Sequence, residues 1–201
     1  MIRGVVLAAG ASSRMGQAKA ALPLGQTGET LIARVVRTLL RGGVPDVTVV
    51  AGAHIDAVRI AMPSHEPRAR VIEHAGWQKG QLSSLHAGLA AIDGPLLEAA
   101  LVTLVDVPLV EPSTVGAVIA EWRRTRAAIV RPADGDRHGH PVIFDRAVFA
   151  DLREADPDAG AKSVFAKHRV VNVEIKDPGA YIDLDTPEDY EEFRRSQMSD
   201  V

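Results

Sequence analysis

The fold is decided by one stretch near the N-terminus, residues 2–19, which read IRGVVLAAGASSRMGQAK. Its first part, Ile2 to Leu7, is an apolar run that predicts a buried strand. Glycine, serine, arginine and lysine follow without helical periodicity, so we expect a long loop that continues through Leu24. Helical spacing begins only at Leu31. A strand, a loop and a helix in this order place ligands at the carboxyl edge of a parallel sheet.

The same alternation of short apolar runs and helical patterns continues along the chain. Further predicted strands are at residues 47–51, 70–73, 100–105, 127–130, 141–144 and 170–175. Predicted helices cover residues 31–40, 55–61 and 82–92, and others start at 112 and 187. Strands that alternate with helices are typical of an α/β fold with a mostly parallel sheet. We find no repeat or linker, so we expect one domain over residues 1–201.

Composition narrows the function classes. With 201 residues, 46% of them hydrophobic, the chain can bury one substantial core. The net charge of −3 and the lack of a clustered basic run argue against a nucleic-acid partner. The absence of cysteine excludes disulfides, cysteine nucleophiles and thiolate metal sites, and it suits the cytoplasm. The apolar N-terminal run is too short for a signal peptide or a membrane span, so no membrane partner is expected.

The loop after the first strand has the chemistry of an anion site. Its glycines let backbone N–H groups approach a ligand closely. Arg14 offers a planar fork for phosphate oxygens, and Lys19 offers a compact positive charge. The spacing fits neither a Walker A loop nor the dinucleotide Gly-x-Gly-x-x-Gly pattern. The alternative is an ordinary flexible loop with incidental charge, and the sequence favours a triphosphate-binding loop.

This loop resembles a known family signature. The pattern Leu7-Ala8-Ala9-Gly10-x-Ser12-x-Arg14-Met15-Gly16-x-x-Lys19, continued by Leu22-Pro23 and Thr30-Leu31, is similar to that of the MobA/MocA-like nucleotidyltransferases. The resemblance implies a Rossmann-like, three-layer α/β/α fold of the GT-A type. It also implies these nucleotide-binding residues: Leu7, Ala8, Ala9, Gly10, Ser12, Ser13, Arg14, Gly16 and Lys19. Leu-Ala-Ala-Gly resembles the cytidylyltransferases, whereas guanylyltransferases typically carry Leu-Ala-Gly-Gly, so Ala9 favours CTP.

Asp106 directly follows the most continuous apolar strand of the chain, residues 100–105. One or two carboxylates together with phosphates are enough to hold Mg²⁺. The alternative is an aspartate that only starts a turn before Pro108. The segment resembles the family's Asp-x-Pro, which implies that Asp106 is a metal ligand.

A second carboxylate is expected from residues 181–189, YIDLDTPED. Asp183 and Asp185 point to the same side if this segment is extended. Thr186 and Asp189 have the spacing of a capping box, so we expect them only to start a helix. The segment resembles the family's Asp-Ile-Asp-Thr-Pro-Glu-Asp, whose first aspartate faces the metal. This implies Asp183 as the second ligand, with Asp185 as its substitute.

Two segments are candidates for the remaining contacts. Residues 80–89, GQLSSLHAGL, start a helix whose N–H groups and two serine hydroxyls suit a nucleotide or an anionic acceptor. A serine cap with no ligand is the alternative. The segment resembles the family's Gly-Met-Ser-Ser-Ser-Leu-x-x-Gly, which implies Ser83 and Ser84 as nucleotide contacts, although Gln81-Leu82 departs from it.

Residues 136–142, DRHGHPV, resemble the family's Gly-His-Pro segment on the acceptor side. This implies Gly139 and His140 as substrate-binding residues. A structural turn histidine is the first alternative. A zinc site at His138 and His140 is the second, and it lacks an apparent third ligand.

The sequence thus predicts a Mg²⁺-dependent enzyme that transfers CMP from CTP to a phosphorylated acceptor and releases pyrophosphate. Arg14, Lys19 and Asp106 are the predicted catalytic residues. By resemblance the acceptor is the molybdenum-pterin cofactor, and a molybdoenzyme would receive the product. The alternatives are a guanylyltransferase, a sugar-phosphate or other phosphate nucleotidyltransferase, a non-catalytic accessory protein that delivers the cofactor, and a structural module. Lys19 and Asp106 argue against the accessory protein, because a binder needs no metal carboxylate.

Overall fold

The computed structural model describes residues 1–24 and 28–199. Within these residues the strands are β1 (Ile2–Ala8), β2 (Pro23–Leu24), β3 (Glu29–Thr30), β4 (Val47–Ala51), β5 (Ala69–Glu73), β6 (Ala99–Leu104), β7 (Ile129–Asp134), β8 (Arg137–His138), β9 (Val142–Asp145) and β10 (Val170–Glu174). The helices are α1 (Leu31–Arg41), α2 (Ile55–Ala61), α3 (Gln81–Ile92), α4 (Pro112–Thr125), α5 (Phe149–Arg153), α6 (Lys162–Phe165) and α7 (Pro187–Ser199). Residues 25–27 and 200–201 of the predicted domain lie outside this description.

The main sheet is mixed but mostly parallel. Its strands follow the order β10-β7-β9-β6-β1-β4-β5, with β8 paired to β7. The pairs β1–β4, β1–β6, β4–β5 and β7–β10 are parallel. Strand β9 runs antiparallel between β6 and β7. The predicted α/β fold with a mostly parallel sheet is confirmed, and the reversal at β9 is an addition to it.

Alternation along β1 explains the three layers. Val6 and Ala8 join the core under α1, α2, α4 and α7, whereas Val5 and Leu7 join the core under α3, α5 and α6. Successive strand side chains point to opposite faces, so a strand that is apolar throughout needs helices on both sides. Burying one such aliphatic side chain stabilises the fold by about 1.5–3 kcal/mol.

Helix boundaries follow local chemistry. Helix α1 begins after Thr30, whose hydroxyl accepts a hydrogen bond from the Ala33 N–H at 3.2 Å. It ends at Gly42, where an added Cβ would lie 2.4 Å from Val115 of α4. Glycine there lets the two helices approach closely. Helix α4 starts with Pro112, in a first-turn position that lacks an N–H partner anyway.

The sheet has its switch point at β1. The chain runs outward from β1 through β4 to β5, and β6 then pairs on the other side of β1. Ligands of open α/β sheets bind where the strand order reverses in this way. The segment after β10 returns to the same edge, because the Leu184 N–H donates to the Asp106 carbonyl at 2.8 Å. The fold therefore gathers the first loop and the predicted aspartates at one end of the sheet. Across the described residues, no helix combines the length and apolarity needed to cross a bilayer.

Candidate active site

A cleft of about 340 Å³ opens at the carboxyl ends of β1, β4 and β6; we call it the first cleft. Predicted site residues contribute a large part of its wall: Leu7, Ala8, Ala9, Gly10, Ser12, Lys19, Ser84 and Asp106. Residues that the sequence reasoning did not select complete it, among them His54, Trp77, Gln78 and Gln81. The sequence prediction of a site directly after β1 therefore coincides with a cavity.

The loop that forms one wall of the first cleft is held from both ends. Ser12 has a positive φ of 48°, and its hydroxyl accepts a hydrogen bond from the Lys19 N–H at 3.2 Å. His54 Nε2 lies 2.9 Å from the Ala11 carbonyl oxygen, and the Ala53 N–H donates to the Ala9 carbonyl at 3.1 Å. Ser12 thus shapes the loop through its side chain, and the segment after β4 fixes the loop against the sheet.

Lys19 is the centre of a charge cluster in the first cleft. Its side chain is only 9% exposed, and its ammonium group donates to Asp106 Oδ2 at 3.2 Å and to Asp185 Oδ1 at 2.8 Å. Arg14 is 73% exposed and lies 3.7 Å from the other Asp185 oxygen. A buried ammonium group needs such partners, because burying an unpaired charge is costly. The two cations expected to bind phosphate are therefore both next to Asp185.

The carboxylates of this cluster crowd one another. Oδ1 of Asp106 is buried and has no hydrogen-bond partner within the described part of the chain. Partial burial and the nearby negative charges of Asp106 and Asp185 raise the pKa of Asp183, although the residue as a whole is exposed. An unpaired carboxylate oxygen beside repelling carboxylates is an arrangement that a cation would relieve. These side chains fit a divalent cation that also uses phosphate and water ligands. In residues 1–24 and 28–199, no three His, Asp or Glu side chains form a metal site by themselves.

A second cleft of about 1240 Å³ adjoins the first, and the two share Leu7, Gln81 and Leu104. Its walls are mostly apolar and include Leu82, Leu85, Val102, Val142, Phe144, Phe165 and Val170. The predicted acceptor residues Gly139 and His140 both line it, as do the cationic side chains of Arg131 and Lys162. Arg131 lies over the Phe165 ring, 5.0 Å from its centroid. This cleft suits a ligand with a large apolar or aromatic face and a negative charge.

The segment that carries His140 is packed too tightly for any side chain at Gly139. A Cβ there would lie 2.1 Å from the Ala180 carbonyl oxygen, which accepts the His140 N–H at 2.9 Å. Burial lowers the pKa of His140, against opposing effects of a backbone hydrogen bond at Val102 and of the Asp106 charge. Its Nδ1 is buried and has no hydrogen-bond partner in the described structure. Burial therefore disfavours the protonated form of His140, whose side chain contributes to the wall of the second cleft.

Several predicted residues lie elsewhere. The wall of the first cleft, as the structure describes it, does not include the predicted site residues Ser13, Arg14, Gly16, Ser83, Asp183 and Asp185. The Ser83 hydroxyl donates to the Gly80 carbonyl at 2.8 Å and lies 3.0 Å from His74 Nε2, so its hydrogen-bonding capacity is used locally. Of the two acidic candidates, Asp185 contacts Lys19, whereas Asp183 is exposed. Thr186 and Asp189 form the expected capping box, with reciprocal bonds of 2.8 and 3.1 Å.

The mostly parallel sheet and the loop after β1 define an α/β protein with a ligand cleft at its switch point, and comparison with known families identifies its class. Residues 4–173 match the MobA-like NTP transferase domain, and the chain belongs to this family. The nucleotidyltransferase class and the fold that the sequence resemblance implied are thereby confirmed.

Curated relatives carry different names. The chain is 36% identical to nicotine blue oxidoreductase of Paenarthrobacter nicotinovorans over 200 residues, which cover 93% of each protein. It is 32% identical to a probable molybdenum cofactor guanylyltransferase of Mycolicibacterium paratuberculosis over 165 residues, 82% of this chain and 79% of the relative. Family membership therefore gives the nucleotidyltransferase class and leaves the individual reaction open.

A similar solved structure contains a metal. The crystal structure of Rv0371C from Mycobacterium tuberculosis in complex with manganese superposes with a TM-score of 0.75 at 28% identity, covering 97% of this chain and 98% of that one. A divalent cation is thus found in a protein with this fold.

Proposed function

We propose that this protein transfers CMP from CTP to the molybdenum-pterin cofactor with release of pyrophosphate, in a reaction that depends on Mg²⁺. One observation carries the proposal: in the first cleft, Lys19 is held against Asp106, and the second Asp106 oxygen has no hydrogen-bond partner among the described residues. A cation and an under-coordinated carboxylate beside a glycine-rich loop are the groups that binding a metal-chelated triphosphate requires.

On the donor side, we assign the triphosphate to Arg14, Lys19 and the backbone N–H groups of the loop after β1. Lys19 would hold the α-phosphate while negative charge builds on it, and Arg14 would hold the outer phosphates. An oxygen of the acceptor phosphate attacks the α-phosphorus, and the bond to pyrophosphate breaks. No covalent enzyme intermediate is needed, because positioning and charge neutralisation account for the catalysis.

Asp106 with Asp183 or Asp185 would hold the metal. When bound, Mg²⁺ neutralises the charge of the triphosphate and of the leaving pyrophosphate. The carboxylates contribute by binding the cation at the carboxyl edge of β6, next to the loop. Asp185 could serve only after it leaves Lys19 and Arg14, which it contacts in the structure. Asp183 has no such contact to break and faces repulsion that a cation would remove, so Asp183 is the preferred second ligand.

On the acceptor side, we assign the pterin to the second cleft. Its apolar walls suit a planar heteroaromatic ring, and Arg131 and Lys162 suit the acceptor's phosphate. The two clefts share wall residues, so an acceptor in one lies beside a nucleotide in the other. His140 would contribute the exposed part of its side chain to the cleft wall, with Gly139 giving the segment its close packing.

A guanylyltransferase is the second candidate, and a specific observation favours each nucleotide. Ala9 lines the first cleft, and Leu-Ala-Ala-Gly in place of Leu-Ala-Gly-Gly is the sequence feature that favours CTP. Against this, the relative from Mycolicibacterium paratuberculosis is named a guanylyltransferase. We propose CTP on the strength of Ala9.

Pyrophosphate release with CTP, GTP and ATP, each with molybdopterin cofactor and Mg²⁺, tests the proposal. We expect release with CTP to exceed release with GTP, and a product with the mass of the cofactor plus one CMP. If release with GTP exceeds release with CTP, the donor nucleotide is GTP, and the proposed transfer to the cofactor still holds. No release with any nucleotide, alongside retained binding of the pterin, would favour the accessory-protein alternative. Ala9→Gly supplies the control, because it should raise the rate with GTP relative to CTP.

A further inference from the structure

Trp77 lies on the wall of the first cleft and has no role in the assignments made so far. It starts a short 3₁₀ turn, Trp77–Lys79, between β5 and α3. The residue is half-buried: it packs against the core on the α3 side of the sheet and also contributes to the wall of the cleft. Its position on the cleft wall raises the question of what the exposed part contacts.

Backbone packing fixes Trp77 to the nucleotide loop. A Cβ on Gly52 would lie 2.6 Å from Trp77 Cβ and 2.6 Å from the Ala9 carbonyl oxygen. Gly52 therefore lets the tryptophan and the loop after β1 meet at one point. On its other side, the Trp77 carbonyl accepts a hydrogen bond from the Gly80 N–H at 3.1 Å. An aromatic side chain held in this way can receive a ligand with little ordering cost.

The second tryptophan of the chain shows what a purely structural one looks like here. Trp122 is 1% exposed, and its indole N–H donates to Asp145 at 3.1 Å. Among the residues that the structure describes, the indole N–H of Trp77 has no such partner, and Trp77 contributes to the wall of a cavity. Core packing accounts for Trp122 but leaves the exposed part of Trp77 without a function.

The polar groups near Trp77 differ from those that surround Lys19. Gln78, Gln81 and Ser84 are uncharged and line the same cleft. Ser84 is 4% exposed and lies in the first turns of α3, on the wall of the first cleft. Amides and hydroxyls can hydrogen-bond the edge of a base, whereas the Lys19 cluster suits phosphate. The first cleft thus has a charged part and an uncharged, aromatic part.

We propose that Trp77 is the stacking wall for the nucleobase of the donor nucleotide; this rests on the proposed function, which puts that nucleotide in the first cleft. Stacking on an aromatic side chain tolerates every base, because each base has a π face. Trp77 then contributes to the affinity for any nucleotide. Selection between bases depends on groups such as Ser84, which can hydrogen-bond the edge of the base.

The test compares nucleotides with inorganic tripolyphosphate, which has the charge but no base. In the presence of Mg²⁺, CTP and GTP should quench the tryptophan fluorescence of the full chain, and tripolyphosphate should not. Trp77→Ala should weaken nucleotide binding about 5- to 100-fold. It should leave tripolyphosphate binding unchanged, which also shows that the variant is folded around its phosphate loop. Trp77→Phe keeps a smaller ring and should lose less.

The outcomes separate this inference from the proposed function. Equal dissociation constants for CTP in the wild-type chain and Trp77→Ala would overturn the stacking role and leave the nucleotidyltransferase assignment intact. Quenching by tripolyphosphate equal to that by CTP would also overturn it, because the signal would then come from the phosphates. If the wild-type chain bound tripolyphosphate but no nucleoside triphosphate, both proposals would be wrong.

Discussion

The first cleft is narrow and charged, whereas the second is broad and mostly apolar. In the first, the cation of Lys19 contacts two carboxylates within 3.2 Å, so the groups expected to bind metal and phosphate neutralise one another. In the second, about 1240 Å³ is lined mostly by aliphatic and aromatic side chains, with fewer polar groups such as His140 and Arg131. Under the proposed function, the donor therefore binds to a charged site and the acceptor to a mostly apolar one.

This difference between the clefts indicates which of them determines specificity for the acceptor. A triphosphate is common to all nucleotides, so the charged cluster can recognise it without regard to the acceptor. Under the proposed function, the acceptor is selected by the fit of the second cleft, whose wall includes residues of α3, β6, β7, β9 and α6. Related proteins can therefore share the first cleft and act on different acceptors, and substitutions in the two clefts should have different kinetic signatures.

The largest expected effect is that of Lys19→Met. Loss of one preorganised positive donor at the reacting phosphate should lower the turnover number about 10²- to 10³-fold. Steady-state pyrophosphate release measures this. Lys162→Met is the matched lysine of the second cleft, and it should raise the acceptor KM while leaving the CTP dissociation constant unchanged. If both substitutions lowered CTP binding and turnover equally, the assignment of donor and acceptor to different clefts would be contradicted.

Two glycine substitutions distinguish a loss of ligand binding in the first cleft from a loss of stability of the fold around it. Gly10 lines the cleft, and an added Cβ would meet no protein atom within 4 Å, so Gly10→Ala should weaken CTP binding about tenfold with no change in Tm. At Gly52 the Cβ would clash with Ala9 and Trp77, so Gly52→Ala should lower the Tm by about 5 °C. Calorimetric titration and thermal unfolding measure the two effects. A lowered Tm for Gly10→Ala would contradict the open space seen there.

The second cleft should respond to pH through His140. Burial holds the pKa of His140 below its ordinary value, so the unfolded chain binds a proton first as the pH falls below about 6.5. Folding stability should then fall with decreasing pH, by at most about 1.4 kcal/mol per pH unit, until the folded imidazole is also protonated. Tm values between pH 7.5 and 5 should drop by about 2–4 °C per unit more in the wild type than in His140→Gln. Parallel curves would show that His140 is not held neutral.

The smallest expected effect concerns the self-neutralised cluster of the first cleft. Without divalent cation, Asp185→Asn should tighten CTP binding about two- to fivefold, because Lys19 and Arg14 no longer contact a competing carboxylate. Asp183→Asn removes the same charge two residues away and is the control. If both variants tightened binding equally, general repulsion rather than competition for Lys19 would be the cause.

The features that could be predicted from the sequence are those that depend on neighbouring residues. The strand–loop–helix order at β1, the aspartate at the end of β6 and the Thr186–Asp189 capping box all depend on neighbouring residues. Periodicity identified α1, α3 and α4 because each presents a continuous apolar face. That residues 1–201 form one nucleotidyltransferase domain stays a prediction, since the family match covers residues 4–173.

The remainder depends on tertiary contacts. A four-residue run such as Val142–Asp145 looks the same whether its strand is parallel or antiparallel, so the reversal at β9 had no signature. Asp183 and Asp185 share a side of an extended segment, and only the position of Lys19 distinguishes them. Trp77 lies in the short segment between Gly76 and Gly80, where no helical or strand periodicity marks it in the sequence. Those two glycines, which suit a tight turn before α3, were the available signal for it.

The transfer of the nucleotidyl group between the two clefts is the most direct test of the central claim. CTP labelled at the α-phosphate should be incubated with the wild-type chain, Mg²⁺ and molybdopterin cofactor, and the label followed into the pterin product. The expected result is a labelled cytidine dinucleotide of the cofactor that disappears with Lys19→Met. Label that stays in CTP while the chain binds both CTP and the cofactor would contradict the claim.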